Sequence, residues 1–129
     1  MELKNFQKKV ISDLKSYLSL LNEELDIIKA YNRFWADKQV AVGRGGVREY
    51  NSILPGVPHV CFKVPTGGGK TFIACNSIKP IFDALPVTKT KAVVWLVPSD
   101  SILTQTLSNL KSPDHPYRQQ LDLDFGGRV

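Results

Sequence analysis

The amino-acid sequence predicts an α/β fold, with parallel strands around a glycine-rich turn and a helical extension at the N-terminus. Three observations carry this. Apolar residues recur at helical spacing through most of the first thirty positions. A β-type run, a Gly-Gly-Gly-Lys-Thr turn and a helical pattern then follow in direct succession. A second apolar run and a second helical pattern come after them. Strand, helix and strand at this spacing read as a right-handed βαβ unit.

In order, Leu3, Phe6, Val10, Leu14, Leu18, Leu21, Leu25 and Ile28 recur at steps of three and four. Lys4, Lys8, Lys9, Asp13, Lys15, Glu23 and Glu24 take much of the other face. The pattern predicts a long amphipathic helix, whole or broken once. The aromatic stretch Tyr31 to Lys38 extends it. Gly43-Arg44-Gly45-Gly46-Val47-Arg48 is a loop, more plainly solvated than phosphate-binding despite its two arginines. Leu54-Pro55-Gly56-Val57-Pro58 is a turn ahead of the first strand, His59–Val64. Phe72 to Ile78 reads as a buried helix, which Lys79-Pro80 kinks or ends. Lys89-Thr90-Lys91 is a polar connection. Ala92–Val97 is apolar nearly throughout, as a strand covered on both faces would be. Pro98 ends it, Ser99 is the expected N-cap, and Asp100 suits the first turn of a helix through Leu110. From Ser112 the chain carries two prolines and no period. No repeat or low-complexity tract is present.

The stretch Val64-Pro65-Thr66-Gly67-Gly68-Gly69-Lys70-Thr71 is the chemical focus. A bare Gly-Gly-Gly-Lys reads as a surface turn, but one set between a strand and a helix has the context of a phosphate-binding loop. Gly67, Gly68 and Gly69 let backbone N–H groups approach phosphate oxygens without a Cβ in the way. The helix start adds unpaired N–H groups and partial positive charge. Lys70 suits the β- and γ-phosphates, and the Thr71 hydroxyl suits Mg²⁺. Val64 stands where the strict pattern has glycine.

The chain has 129 residues, the span of one domain able to bury a core. Its 43% hydrophobic and 22% charged content is that of a soluble globular protein. A net charge of +5 fits a polyanionic partner without requiring one. Cys61 and Cys75 read as two buried free thiols, at a spacing that suits no metal site. No apolar run reaches membrane-spanning length and the N-terminus has no signal-peptide core, so no membrane partner and a cytoplasmic location are expected. His59 and His115 lack partners at metal spacing. Trp35 and Trp95 read as packing residues, and Asp122 with Asp124 as a solvated turn. Ser99, Asp100 and His115 make no hydrolase triad, since no nucleophile elbow is present.

Three separated stretches together resemble the start of a superfamily 2 helicase of the DEAD/DEAH-box-like group that contains the restriction (Res) subunit of type III restriction enzymes. The phosphate-loop stretch Val64–Thr71 is similar to helicase motif I, Ala-x-Thr-Gly-x-Gly-Lys-Thr. Leu3-Lys4-Asn5-Phe6-Gln7-Lys8-Lys9-Val10 resembles the family's opening Leu-Arg-x-Tyr-Gln-x-x-Ala. Val94-Trp95-Leu96-Val97-Pro98-Ser99-Asp100-Ser101-Ile102-Leu103-Thr104-Gln105 resembles motif Ia. The resemblance covers almost the whole chain. It implies a partial RecA-like P-loop domain over 59–129, with motifs I and Ia, and an N-terminal helical extension over 1–58. It places Pro65, Thr66, Gly67, Gly68, Gly69, Lys70 and Thr71 around the phosphates of ATP, with Mg²⁺ at Thr71 and Lys70 and Thr71 as the catalytic pair. Gln7 would read the adenine edge, a task that suits an amide's paired donor and acceptor. Pro98, Ser99 and Asp100 would lie near a bound strand.

The implied activity of the parent is ATP-driven movement on nucleic acid, with DNA ahead of RNA. The implied partners are that nucleic acid, the rest of the helicase core and a modification subunit. A Walker B pair would hold Mg²⁺ and position the attacking water. After Lys70 the only acidic residues are Asp83, Asp100, Asp114, Asp122 and Asp124, and none has that pattern. The second RecA-like domain is also absent. The expectation is therefore the front piece of a larger protein, one that binds ATP weakly and hydrolyses it poorly or not at all. The alternative is a non-catalytic nucleic-acid-binding or assembly piece with a vestigial loop. A P-loop enzyme of another class, such as a kinase, is disfavoured by the glutamine and motif Ia matches. An incomplete parallel sheet would expose an unpaired edge.

Overall fold

The computed structural model describes residues 1–87 and 90–128. Lys89, part of the expected polar connection, lies outside the described residues, as do Thr88 and Val129. Five helices are present among those described: α1 Asn5–Glu24, α2 Ile27–Asp37, α3 Lys70–Ala84, α4 Asp100–Lys111 and α5 Pro116–Phe125. By internal packing the chain forms two units, Met1–Ile11 with Val64–Val129, and Ser12–Lys63.

The stretches expected as strands, His59–Val64 and Ala92–Val97, are irregular, and no sheet occurs among the described residues. The nearest approach to β structure is an isolated bridge between Val42 and Val47. The parallel-strand part of the α/β expectation is corrected accordingly. A strand is completed by neighbours that take up its N–H and C=O groups, and its β-branched side chains gain only when both faces are covered. Here Val60, Val93, Val94 and Leu96 are exposed, the last two at 82% and 87%. Their apolar pattern records a preference for burial that nothing among the described residues meets.

In the unit Ser12–Lys63, the break expected in the long helix falls at Leu25-Asp26. Leu25 closes α1 in the left-handed region, φ 55°. Asp26 caps α2, its Oδ1 accepting from Lys29 N at 2.9 Å. Tyr17, Leu20 and Ala30 form the core, with Leu21, Tyr31 and Phe34 packed against it. Tyr17 meets Phe34 edge to face at 5.9 Å between ring centroids. Cys61, expected buried, is exposed, because the strand that would have enclosed it is absent.

In the other unit the core is Phe72, Ile73 and Cys75 of α3 with Leu121 of α5. Cys75 is the buried free thiol that was expected, and burial pushes it up to about 11. One expectation narrows and another changes. α3 runs through Pro80 to Ala84 and is not ended by it; the ring costs one ladder bond to Asn76, and packing retains the helix. The tail is not irregular but forms α5. Pro116 takes the first helical position, His115 Nδ1 accepts from Tyr117 N at 3.2 Å, and Gly126 closes the helix with φ 64°. Asp122 and Asp124 therefore lie on a helix, and Asp122 pairs with Arg118 one turn away. The Phe72 and Tyr117 rings stack at 6.1 Å, and Phe82 meets Phe125 at 5.7 Å, which braces α3 along its length.

Candidate functional site

The glycine turn enters α3 as a tight loop. Gly68 N donates to Pro65 O at 3.0 Å, and Ile73 N to Gly69 O at 2.9 Å, the first bond of the helix. The three glycines serve different needs. Gly67 has φ 76° and open space around it, so only its conformation demands glycine. A Cβ on Gly68 would meet Val64 Cγ1 at 2.5 Å and Pro65 O at 2.9 Å, so here the demand is for room. Gly69 combines both, with φ 74° and a Cβ that would fall 2.5 Å from Gln7 Nε2. Val64, the departure from the strict pattern, is accommodated because Gly68 opposite it has no side chain.

Gly69 is the N-cap of α3 and supplies no side-chain hydrogen bond. The N–H groups of Lys70, Thr71 and Phe72 thus open the helix without an intrahelical acceptor, at its positive end. Lys70 is exposed and makes no ion pair among the described residues; Thr71 is half-buried. Pro65, Thr66 and Gly67 are exposed beside them.

Gln7 is brought onto this loop from 61 positions away. It is 4% exposed, and its Nε2 donates to Gly68 O at 2.9 Å. Its Oε1 accepts from Lys4 N at 2.8 Å, which is the N3-to-N-cap half of a capping box at the start of α1. One amide therefore fixes both the first turn of α1 and the middle of the glycine turn. This tether has no local signature, because the 61-residue separation hides it.

Pro98, Ser99 and Asp100 sit at the start of α4, exposed. Ser99 is the N-cap as expected, its Oγ accepting from Ile102 N at 3.4 Å and lying 3.1 Å from Ser101 Oγ. No hydrogen bond among the described residues links them to the glycine turn. No group of three or more His, Cys, Asp or Glu among the described residues could hold a metal ion. No helix there is long and apolar enough to cross a membrane.

Comparison with known families gives a match over residues 1–127 to the type III restriction enzyme, res subunit. No curated protein and no solved structure matches significantly. The matched family is a helicase-superfamily domain, which bears out the resemblance carried by the three motifs and implies a RecA-like fold. The chain belongs to the family of type III restriction enzyme res subunits.

Proposed function

We propose that this chain supplies the ATP-binding loop of a nucleic-acid-dependent, helicase-like ATPase that moves on DNA. The observation that supports it most is the Gly67–Gly69 turn, whose backbone opens α3 with free N–H groups beside an exposed Lys70. That cradle fits a triphosphate: it offers backbone donors, helix-end charge and an ammonium group, with no carboxylate paired to Lys70 among the described residues. In this reading Pro65 to Thr71 surround the phosphates, with Lys70 and Thr71 as the catalytic pair. Mg²⁺, held by Thr71 with the phosphates, supplies charge neutralisation there. Gln7 retains one N–H and lone-pair capacity on Oε1 for an adenine edge while keeping its two backbone bonds. Residues 59–129 form the RecA-like part and 1–58 the helical extension. Pro98, Ser99 and Asp100 face the strand, and the rest of a helicase core and a modification subunit are its protein partners.

A second reading, a DNA-binding or assembly piece with an idle loop, is favoured by one observation. Two of the acidic residues after Lys70 are engaged on their own helices, Asp83 with Lys79 and Asp122 with Arg118, and none forms a metal-holding group among the described residues. Titration of a labelled single-stranded DNA at two salt concentrations, with and without Mg·ATP, separates the readings. The proposal expects the nucleotide to change DNA affinity at fixed salt. Affinity that falls steeply with salt and ignores the nucleotide supports the idle loop.

A further inference from the structure

A cavity of about 400 Å³ lies wholly within the unit Ser12–Lys63, and no residue of the glycine turn lines it. Its walls include the rings of Tyr17, Tyr31, Phe34, Trp35, Tyr50 and His59. Three buried polar atoms among the described residues lack a hydrogen-bond partner: Tyr17 Oη, Trp35 Nε1 and His59 Nε2. All three belong to residues of this one wall. Buried polar groups are nearly always paired, so three orphans around a single cavity call for a partner.

The chemistry of the wall limits that partner. An indole N–H donates only, so it needs an acceptor. The Tyr17 hydroxyl, 4% exposed as a residue and pushed up to about 12 chiefly by burial, remains a donor through neutral pH. A cation is disfavoured, because the Lys38 ammonium already stands 5.0 Å from the Phe34 ring and 2.7 Å from Asp13 Oδ1. An anion is disfavoured by the Glu49 carboxylate in the lining, where Asp13 is already paired with Lys38. A neutral, flat ring with acceptors along its edge remains. Such a ring stacks on aromatic faces and presents ring nitrogens or carbonyls to the donors.

We propose that this cavity binds a single nucleobase, through stacking on its aromatic walls and hydrogen bonds from Trp35, Tyr17 and His59. The three atoms are closed to solvent in the free protein, so binding requires each side chain to turn toward the cavity face. The base arrives either on a free nucleoside or as one unstacked nucleotide of a single strand. The site goes beyond the phosphate-loop reading and stands independently of it.

The test uses the full chain with two probes, 2-aminopurine riboside and a short single-stranded oligonucleotide carrying one 2-aminopurine, followed by the quenching of probe fluorescence. Tyr17→Phe and Trp35→Phe keep a ring and remove one donor each. Each variant is expected to weaken binding about five- to tenfold, the effect of one lost hydrogen bond. Tyr17→Phe, which keeps the whole ring, is also expected to leave the free protein as thermally stable as the wild type or more so, because an orphan donor is removed. Binding of the riboside alone assigns the site to free bases, and binding of the oligonucleotide alone assigns it to a strand. No quenching of either probe up to about 1 mM, the weak end of specific binding, overturns the proposal. So does binding that both variants leave unchanged, or a free protein that Tyr17→Phe destabilises.

Discussion

Gln7→Glu separates the two jobs of the Gln7 amide. The carboxylate keeps an oxygen for Lys4 N, so the cap on α1 survives. It replaces the Nε2 donor, 2.9 Å from Gly68 O, with a second acceptor. One hydrogen bond is lost, worth about 0.5–1.5 kcal/mol, and a buried carbonyl is left unpaired at a further cost of about 1–3 kcal/mol. Destabilisation of about 1.5–4.5 kcal/mol at neutral pH follows, or about 1–2 M in the urea midpoint followed by circular dichroism. The effect also depends on pH. Burial and the facing carbonyl raise the variant's carboxyl above its ordinary value of about 4.3, and the protonated acid can donate to Gly68 O. That contribution is fully present below the unfolded value and is lost as pH rises through the folded one. The deficit against wild type is therefore smallest in acid and grows toward neutrality. A variant as stable as wild type at neutral pH would refute the tether.

Three further outcomes follow from single residues. Leu25→Gly relieves a left-handed φ of 55° at a site 87% exposed, and should raise stability by about 1 kcal/mol; a lowered urea midpoint would contradict it. Iodoacetamide should label exposed Cys61 in the native protein and reach Cys75 only on unfolding, because burial pushes that thiol up to about 11. Equal labelling rates by mass spectrometry would count against this packing. Tyr17 moves from an ordinary 10.0 to about 12 on folding, so its contribution is whole below pH 10 and is lost as pH rises through 12. Phenolate absorbance should show one of the four tyrosines ionising late, together with unfolding.

Local structure is legible where the chemistry is local. Glycines before Lys-Thr, a serine after Pro98 and the period of α1 and α2 each report a short-range backbone demand, and each appears in the fold. The end of the chain carries its own punctuation: Pro116 at a helix start and Gly126-Gly127 at its close are signal enough for α5. Of the two outcomes Pro80 allows, kink or end, the end is excluded, since packing of Phe72 and Phe82 against α5 holds α3 through the missing bond. His59–Val64 and Ala92–Val97 failed for a different reason. A strand depends on partners remote in sequence, and an apolar run specifies the wish for cover and not the cover itself. The Gln7 contact with Gly68 and the gathering of Tyr17, Trp35 and His59 around one cavity are tertiary facts with no local pattern.

Phosphate binding at the Gly67–Thr71 turn is decided by calorimetric titration of Mg·ATP into the chain and into Lys70→Ala. The wild type is expected to bind measurably, and binding is expected to be lost in a Lys70→Ala variant whose helical spectrum is unchanged. Binding that survives Lys70→Ala, or no binding by a demonstrably folded wild-type chain, would contradict it.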